Sequence, residues 1–207
     1  MQVLPLTPDS VVRHLVAIVG ARTEGRLRMV VDGHPSTRPE LLADALVGPL
    51  RSIGRPVVRV HASDFLRPAS VRLEHGRQDP DAYYDQVDVR ALAREVVDPF
   101  GPEGTGRYLP SLWDPHLDRA TRVPYSLAPD GAVLVLDGAL LLGRWLDLDF
   151  TVHLALRADT LVRRTPPQET WTLAAYGRYA EEVGPEDTAD VVLRVDDARH
   201  PAVVLRG

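Results

Sequence analysis

The sequence predicts a three-layer α/β/α domain around a mainly parallel, five-stranded sheet. Two observations lead there. Strand-like and helix-like segments alternate along the chain. The strand-like ones are continuous apolar runs, such as Val133-Leu134-Val135-Leu136, not alternating ones. A strand that is apolar on both faces needs cover on both faces, the condition of a parallel sheet between helix layers. A third observation sets the scale: 207 residues, 44% of them hydrophobic, suffice for one domain with a full core.

Taken in order, residues 7–19 read as a helix. Thr7 or Asp9 can cap it, and Val11, Val12, Leu15, Val16 and Val19 make an apolar stripe. Residues 27–31 form a short strand that runs into Asp32-Gly33. The next helix covers 40–53, with Leu41, Leu42, Ala45, Leu46 and Leu50 on one side, and Gly54 ends it. Residues 56–60 are the second strand. Residues 61–80 read as loop, and 80–97 as helix in one or two pieces. The Pro- and Gly-rich stretch 98–130 suits short antiparallel strands. Residues 132–136 form a buried strand, again followed by Asp-Gly (Asp137, Gly138). A short helix over 140–146, a strand over 150–156, a helix beginning at 159–164, a helix over 168–183 and a last strand over 191–195 complete the pattern. Ligands of such sheets sit at the carboxyl ends of the strands, which draws attention to 32–38, 61–67 and 137–139.

Composition excludes some chemistry. There is no cysteine, hence no disulfide and no thiolate. The 24 basic residues are all arginine, so no step can use a lysine. A net charge of -5 with scattered arginines does not suggest a nucleic-acid surface. Arginine pairs well with phosphate or carboxylate, so a small anionic ligand suits the chain. No apolar run approaches the ~20 residues of a membrane span, and the first residues lack a secretory pattern. The expectation is a cytoplasmic protein.

The first strand-to-helix turn reads Val31-Asp32-Gly33-His34-Pro35-Ser36-Thr37-Arg38-Pro39-Glu40. A phosphate-gripping loop needs G-x-x-x-x-G-K-[ST]. Its glycines let backbone N–H groups wrap a phosphate, its lysine reaches the outer phosphates, and its hydroxyl holds magnesium. Only Gly33 is present. Arg38 stands at the second glycine, Pro39 at the lysine and Glu40 at the hydroxyl residue.

The rest of the chain, in order, resembles the uridine kinases of the P-loop family. Ser63-Asp64-Phe65-Leu66-Arg67-Pro68 is similar to the family's S-x-D-D-F-x-R-P segment. Gly76-Arg77-Gln78-Asp79-Pro80-Asp81-Ala82-Tyr83-Tyr84 is similar to its G-R-D-x-P-x-x-Y-Y stretch. Asp98-Pro99-Phe100-Gly101-Pro102 and Arg107-Tyr108 resemble the loop that follows. Val133 to Leu142 resembles its Walker-B-like strand, and Ala189-Asp190-Val191-Val192-Leu193 its last strand. The likeness runs over 26–205, to compact members of actinobacterial type. It implies a P-loop nucleoside kinase fold over 26–207, behind an added helical leader, 1–25. It further implies ATP and Mg2+ as cofactors, a nucleoside-like small-molecule ligand, and association into homo-oligomers.

Site residues carried over by the resemblance are these. The phosphate-loop positions are Gly33, His34, Ser36, Thr37 and Arg38. Asp137 matches the acidic residue that holds magnesium or its water. Arg67, Asp79, Tyr83, Tyr84 and His116 fall where the substrate is held. Arg163 and Arg164 fall where a lid supplies arginines to the phosphates. The family's proton-accepting Asp matches Ser63, with Asp64 beside it, and its substrate carboxylate matches Gln78, with Asp79 beside it. Neighbours on an extended segment point opposite ways, so Asp64 and Asp79 are not automatic replacements. His34 and His61, at the ends of adjacent strands, can form an acid–base or metal pair with Asp64 or Asp137. Three readings stay open: a pseudokinase that binds a nucleoside, nucleotide or other small anionic ligand; an active kinase using Arg38 and Asp137; and a different enzyme using His34, His61 and Asp64.

Overall fold

The computed structural model describes residues 2–22 and 25–205. The ends of the expected leader and domain (residues 1, 23, 24, 206 and 207) lie outside the described residues. Strand β1 (Gln2–Pro5) leads into helix α1 (Pro8–Gly20), whose first turn is capped by the Thr7 side chain accepting from the Ser10 N–H. Strand β2 (Leu27–Gly33), helix α2 (Pro39–Ser52) and strand β3 (Val57–His61) follow. The segment expected as helix in one or two pieces carries short helices. After α3 (Ala69–Arg72) come α4 (Pro80–Tyr84) and α5 (Val89–Leu92), the last running into a wider turn, Ala93–Val97. Residues 98–130 hold two small antiparallel pairs, as expected: β4 (Arg107–Tyr108) with β7 (Ser126–Leu127), and β5 (Trp113–Asp114) with β6 (Arg119–Ala120). Then come β8 (Val133–Gly138), β9 (Phe150–Ala155), α6 (Ala158–Arg164), α7 (Leu173–Glu182), α8 (Pro185–Thr188), β10 (Val191–Arg194) and β11 (Ala202–Leu205).

The central sheet has seven strands, not five, in the order β1-β11-β10-β9-β2-β8-β3. The five expected strands, β10-β9-β2-β8-β3, are all parallel, and β11 and β1 extend the sheet antiparallel at one edge. The two extra strands are four residues each and join the sheet by pairing with each other and with β10. The strand at 191–195 is therefore not the last.

Two further expectations fail for local reasons. Residues 140–146 are not helical: Leu140 and Trp145 have φ of 61° and 62°, and the N–H groups of Leu141 and Leu142 are taken by the side chains of Asp32 and Tyr179. Over 168–183 the first third is a 3₁₀ turn, Pro167–Thr172, before α7 begins.

Side chains alternate across the sheet, so each face has its own core. On one face α1 and α2 pack Val11, Leu15, Val19, Leu46 and Leu50 against Met29, Val31, Val133 and Val135. On the other, Phe65, Leu92, Phe100, Tyr176 and Tyr179 pack against Val30, Leu134 and Leu136. Burying each of these large side chains stabilises the fold by about 1.5–3 kcal/mol. Among the described residues no helix is long and apolar enough to cross a membrane.

Candidate functional site

Parallel strands end together, so the sheet brings the ends of β2, β3, β8 and β9 to one rim. Strand register then decides which side chains meet. In β2 and β9, Asp32 lies directly opposite His153; in β8 and β3, Asp137 lies opposite His61. Asp32 continues the face of Val30, and Asp137 that of Val135, so the two Asp–His pairs occupy opposite faces of the sheet.

The loop between β2 and α2 is closed on itself. Thr37 N–H donates to the His34 carbonyl at 2.8 Å, Arg38 N–H to the Pro35 carbonyl at 3.0 Å, and Ser36 N–H to His34 Nδ1 at 3.1 Å. Thr37 Oγ1 donates to the His34 carbonyl at 2.7 Å. Pro35 and Pro39 have no N–H to offer. Arg38 sits in the left-handed region, φ 56° and ψ 58°, a conformation that costs an L-residue about 1–2 kcal/mol. Its guanidinium pairs with Glu40. Gly33 is required here, because a Cβ would come within 2.6 Å of Thr37 Oγ1 and 2.9 Å of Leu154 Cβ. Burial pushes the His34 imidazole down to about 4, so it is neutral and packs edge-on to Tyr176, ring centroids 4.5 Å apart.

Asp137 is held by Arg59 and His61. Its Oδ1 accepts from Arg59 Nη2 at 2.7 Å and from His61 Nδ1 at 2.8 Å, and its side chain is 8% exposed. Arg59 also reaches Asp44 at 3.0 Å and the Val135 carbonyl at 2.6 Å. The bond from Asp137 raises the pKa of His61, against burial and the Arg59 charge. Nearby Asp64, in the turn Ala62–Phe65, has its carboxyl pushed up by burial. Among the described residues no three His, Asp or Glu side chains group to hold a metal ion.

A cleft of about 390 Å³ opens between these groups, lined by Gly33, Arg38, Glu40, Ser63, Tyr83 and Asp137 among others. Tyr83 points its hydroxyl at that of Tyr176, 3.0 Å away, and stacks edge-on against Trp171. Tyr84 is instead core, 6% exposed, with Arg144 and Arg178 over its ring. Asp79 caps α4 by accepting from the N–H groups of Asp81 and Ala82. The Arg67 backbone bonds to Gln86 and accepts from Arg72; among the described residues Arg67 and Asp64 form no ion pair. His116 is exposed on the turn between β5 and β6. Arg163 is exposed and reaches Thr160, while Arg164 donates to the Val195 and Asp196 carbonyls. A second cavity of about 300 Å³, largely apolar, lies between α1, α2 and β10, with Arg38 and Arg164 in its wall.

Sequence reasoning missed Asp32, Arg59, His153, Tyr176 and Tyr179 as site-forming groups. A signal existed for three of them: Asp32, Arg59 and His153 are polar residues inside otherwise apolar strand runs, where a polar group needs a partner.

The sequence matches no family model and no curated protein. Solved structures do match. One, titled a possible uridine kinase from Bacillus stearothermophilus, is 23% identical, with a TM-score of 0.71 over 89% of this chain and 96% of that one. A fructose transport system kinase candidate from Silicibacter sp. TM1040 is 18% identical, with a TM-score of 0.57 over 88% of this chain and 92% of that one. D-glycerate 3-kinase from Cryptococcus neoformans is 16% identical, with a TM-score of 0.51 over 86% and 83%. The chain thus shares its three-layer α/β/α fold with these solved structures.

Proposed function

We propose that this protein keeps the nucleoside-kinase scaffold but binds a small molecule (a nucleoside, nucleotide or other small anionic compound) without ATP-driven phosphoryl transfer. The observation that carries this reading is the closed loop. The N–H groups of Ser36, Thr37 and Arg38, which a phosphate would need, are spent on His34 and Pro35. The His34 ring nitrogen stands as the internal acceptor for one of them. A bound phosphoryl donor is stabilised by such donors, a lysine and a metal acting together. Pro39 supplies neither charge nor N–H, and Asp137 already pairs with Arg59 and His61. The residues present do not fit ATP–Mg2+.

Calorimetry and thermal shift with ATP–Mg2+, alone and with uridine, test the reading. The expected result is no ATP response, with stabilisation by a nucleoside or sugar phosphate. ATP binding with ADP production overturns it. The combined substitution Arg38→Gly, Pro39→Lys and Glu40→Ser restores the missing half of the loop motif. It is expected to regain ATP binding by calorimetry. Continued absence of binding would place the barrier elsewhere, with His34 the next residue to replace.

A further inference from the structure

The apolar cavity between α1, α2 and β10 lies at the carboxyl ends of β9 and β10, on the sheet face opposite Asp32. Its volume of about 300 Å³ falls at the lower end of the range for ligand pockets. At the ~30 Å³ that a water molecule occupies in the liquid, it holds about ten non-hydrogen atoms. The leader helix builds one wall. Pro8, Val11 and Val12 of α1 contribute to it, with Leu42 of α2 and with Leu154 and Leu193 of the sheet.

The wall is sorted by chemistry. Among the described residues, the apolar side chains lining it are all aliphatic, with no aromatic ring. No acidic side chain and no histidine lines it, in a chain of net charge -5. Its charged members are two arginines, Arg38 and Arg164. Arg164 donates to the Val195 carbonyl at 3.1 Å and to the Asp196 carbonyl at 2.7 Å. A guanidinium has five N–H donors, so these two bonds leave capacity. Among the described residues Arg164 pairs with no carboxylate, and it is half-buried. A cation drawn partly from water is stabilised by an anion. Arg38 pairs with Glu40 through Nε, and its side chain is 61% exposed, so water screens that pair. Among the described residues its two Nη groups have no partner. The hydroxyls in the wall are engaged locally: Thr37 Oγ1 on the His34 carbonyl, and Ser36 Oγ with His34 Nδ1 at 2.8 Å. A nucleobase would find no ring to stack on and no free hydroxyl to read its edge. An aliphatic chain ending in one anionic group suits the wall better.

We propose that this cavity is a binding site for a medium-chain aliphatic carboxylate of about eight carbons. The chain lies among the side chains of α1, α2 and the sheet, and the carboxylate meets Arg164 and Arg38. Eight carbons and two oxygens match the volume. The site stands beside the cleft, and Arg38 is the one described residue that lines both.

Calorimetry on the full-length protein, with octanoate below its micelle concentration, tests this. Octanoate is expected to bind saturably. 1-Octanol, the same chain without the charge, is expected to bind about tenfold more weakly, the loss of one charge-assisted hydrogen bond. Hexanoate is expected to bind about fifteenfold more weakly, roughly fourfold for each methylene lost. Arg164→Met is expected to weaken octanoate about tenfold and to leave octanol unchanged, a split that a merely structural arginine would not produce. Ala45 lines the cavity from an exposed position on α2, so Ala45→Trp adds bulk there without disturbing the core. It is expected to abolish binding and to leave urea melts unchanged. Arg13→Met removes an exposed cation outside the wall and is expected to leave binding unchanged. Wild-type protein that ignores octanoate overturns the proposal. So does equal affinity for octanoate and octanol, or full binding by Ala45→Trp. Attachment to phosphatidylglycerol vesicles without a response to free octanoate assigns the face to a lipid surface and also overturns it. ATP binding overturns the reading of the closed loop and not this one; silence toward octanoate does the reverse.

Discussion

Two Asp–His pairs stand at the same rim of one sheet, each built by direct register between neighbouring parallel strands, yet they are opposite in character. In one, Asp137 shares its carboxylate between His61 and Arg59, and the His61 side chain is 43% exposed. In the other, Asp32 is sealed from solvent and its three donors are a backbone N–H, a tyrosine and His153. The first pair faces solvent and the cleft. The second is buried, beside a smaller cavity. The lesson is that one structural device, an acid facing a histidine across a strand pair, serves ligand chemistry or architecture according to which sheet face it occupies and what covers that face.

The contrast is broken most strongly by removing each carboxylate. Asp32→Ala leaves three buried donors without an acceptor. It is expected to lower unfolding free energy by about 3–5 kcal/mol in urea melts. Asp137→Ala leaves Arg59 with Asp44 and the Val135 carbonyl, and leaves His61 with water. A loss of only about 1–2 kcal/mol is expected in the same melts. Equal losses would show that the two pairs do the same job.

Titration sharpens the same contrast. His34, next to the buried pair, has a folded pKa of about 4, below the ordinary 6.5. Its contribution is therefore present above 6.5 and lost as pH falls toward 4, by about 2–3 kcal/mol. His61 is raised, so its contribution is full below 6.5 and lost as pH climbs through its folded value. Unfolding free energy measured across pH is expected to lose its acid slope in His34→Gln and its alkaline slope in His61→Ala. The reverse assignment would overturn the contrast. The smallest effect lies in the loop that joins the two faces. Arg38→Gly relieves the left-handed strain, less the extra freedom that glycine brings to the unfolded chain. A gain of about 0.5–1 kcal/mol in the melting experiment is expected.

Much of the fold was legible because its signals are local. Apolar runs marked the five parallel strands, Thr7 marked a cap, and Asp-Gly marked two strand ends. The short helix over 140–146 was misread because its apolar pattern is real but its N–H groups go to Asp32 and Tyr179, more than a hundred and about forty positions away. Of the site residues picked by pattern, Asp137 and Tyr83 line the cleft, and His61 pairs with Asp137. Asp79 and Tyr84 matched the pattern too, but one caps a helix and the other packs in the core. A motif fixes position along the chain and not the direction of a side chain.

The sequence by itself determined that a parallel sheet forms, that its strand ends carry Asp-Gly turns, and that the chain has no lysine and no G-x-x-x-x-G-K-[ST] run. These follow from side-chain chemistry and short-range spacing. Only the tertiary structure decided that Asp137 binds Arg59 and His61, that Asp32 binds His153 from 121 positions away, and that β1 and β11 widen the sheet. The reason is physical. Partners across strands are chosen by register and by which face each residue occupies, and both depend on how the whole sheet packs against its two helix layers.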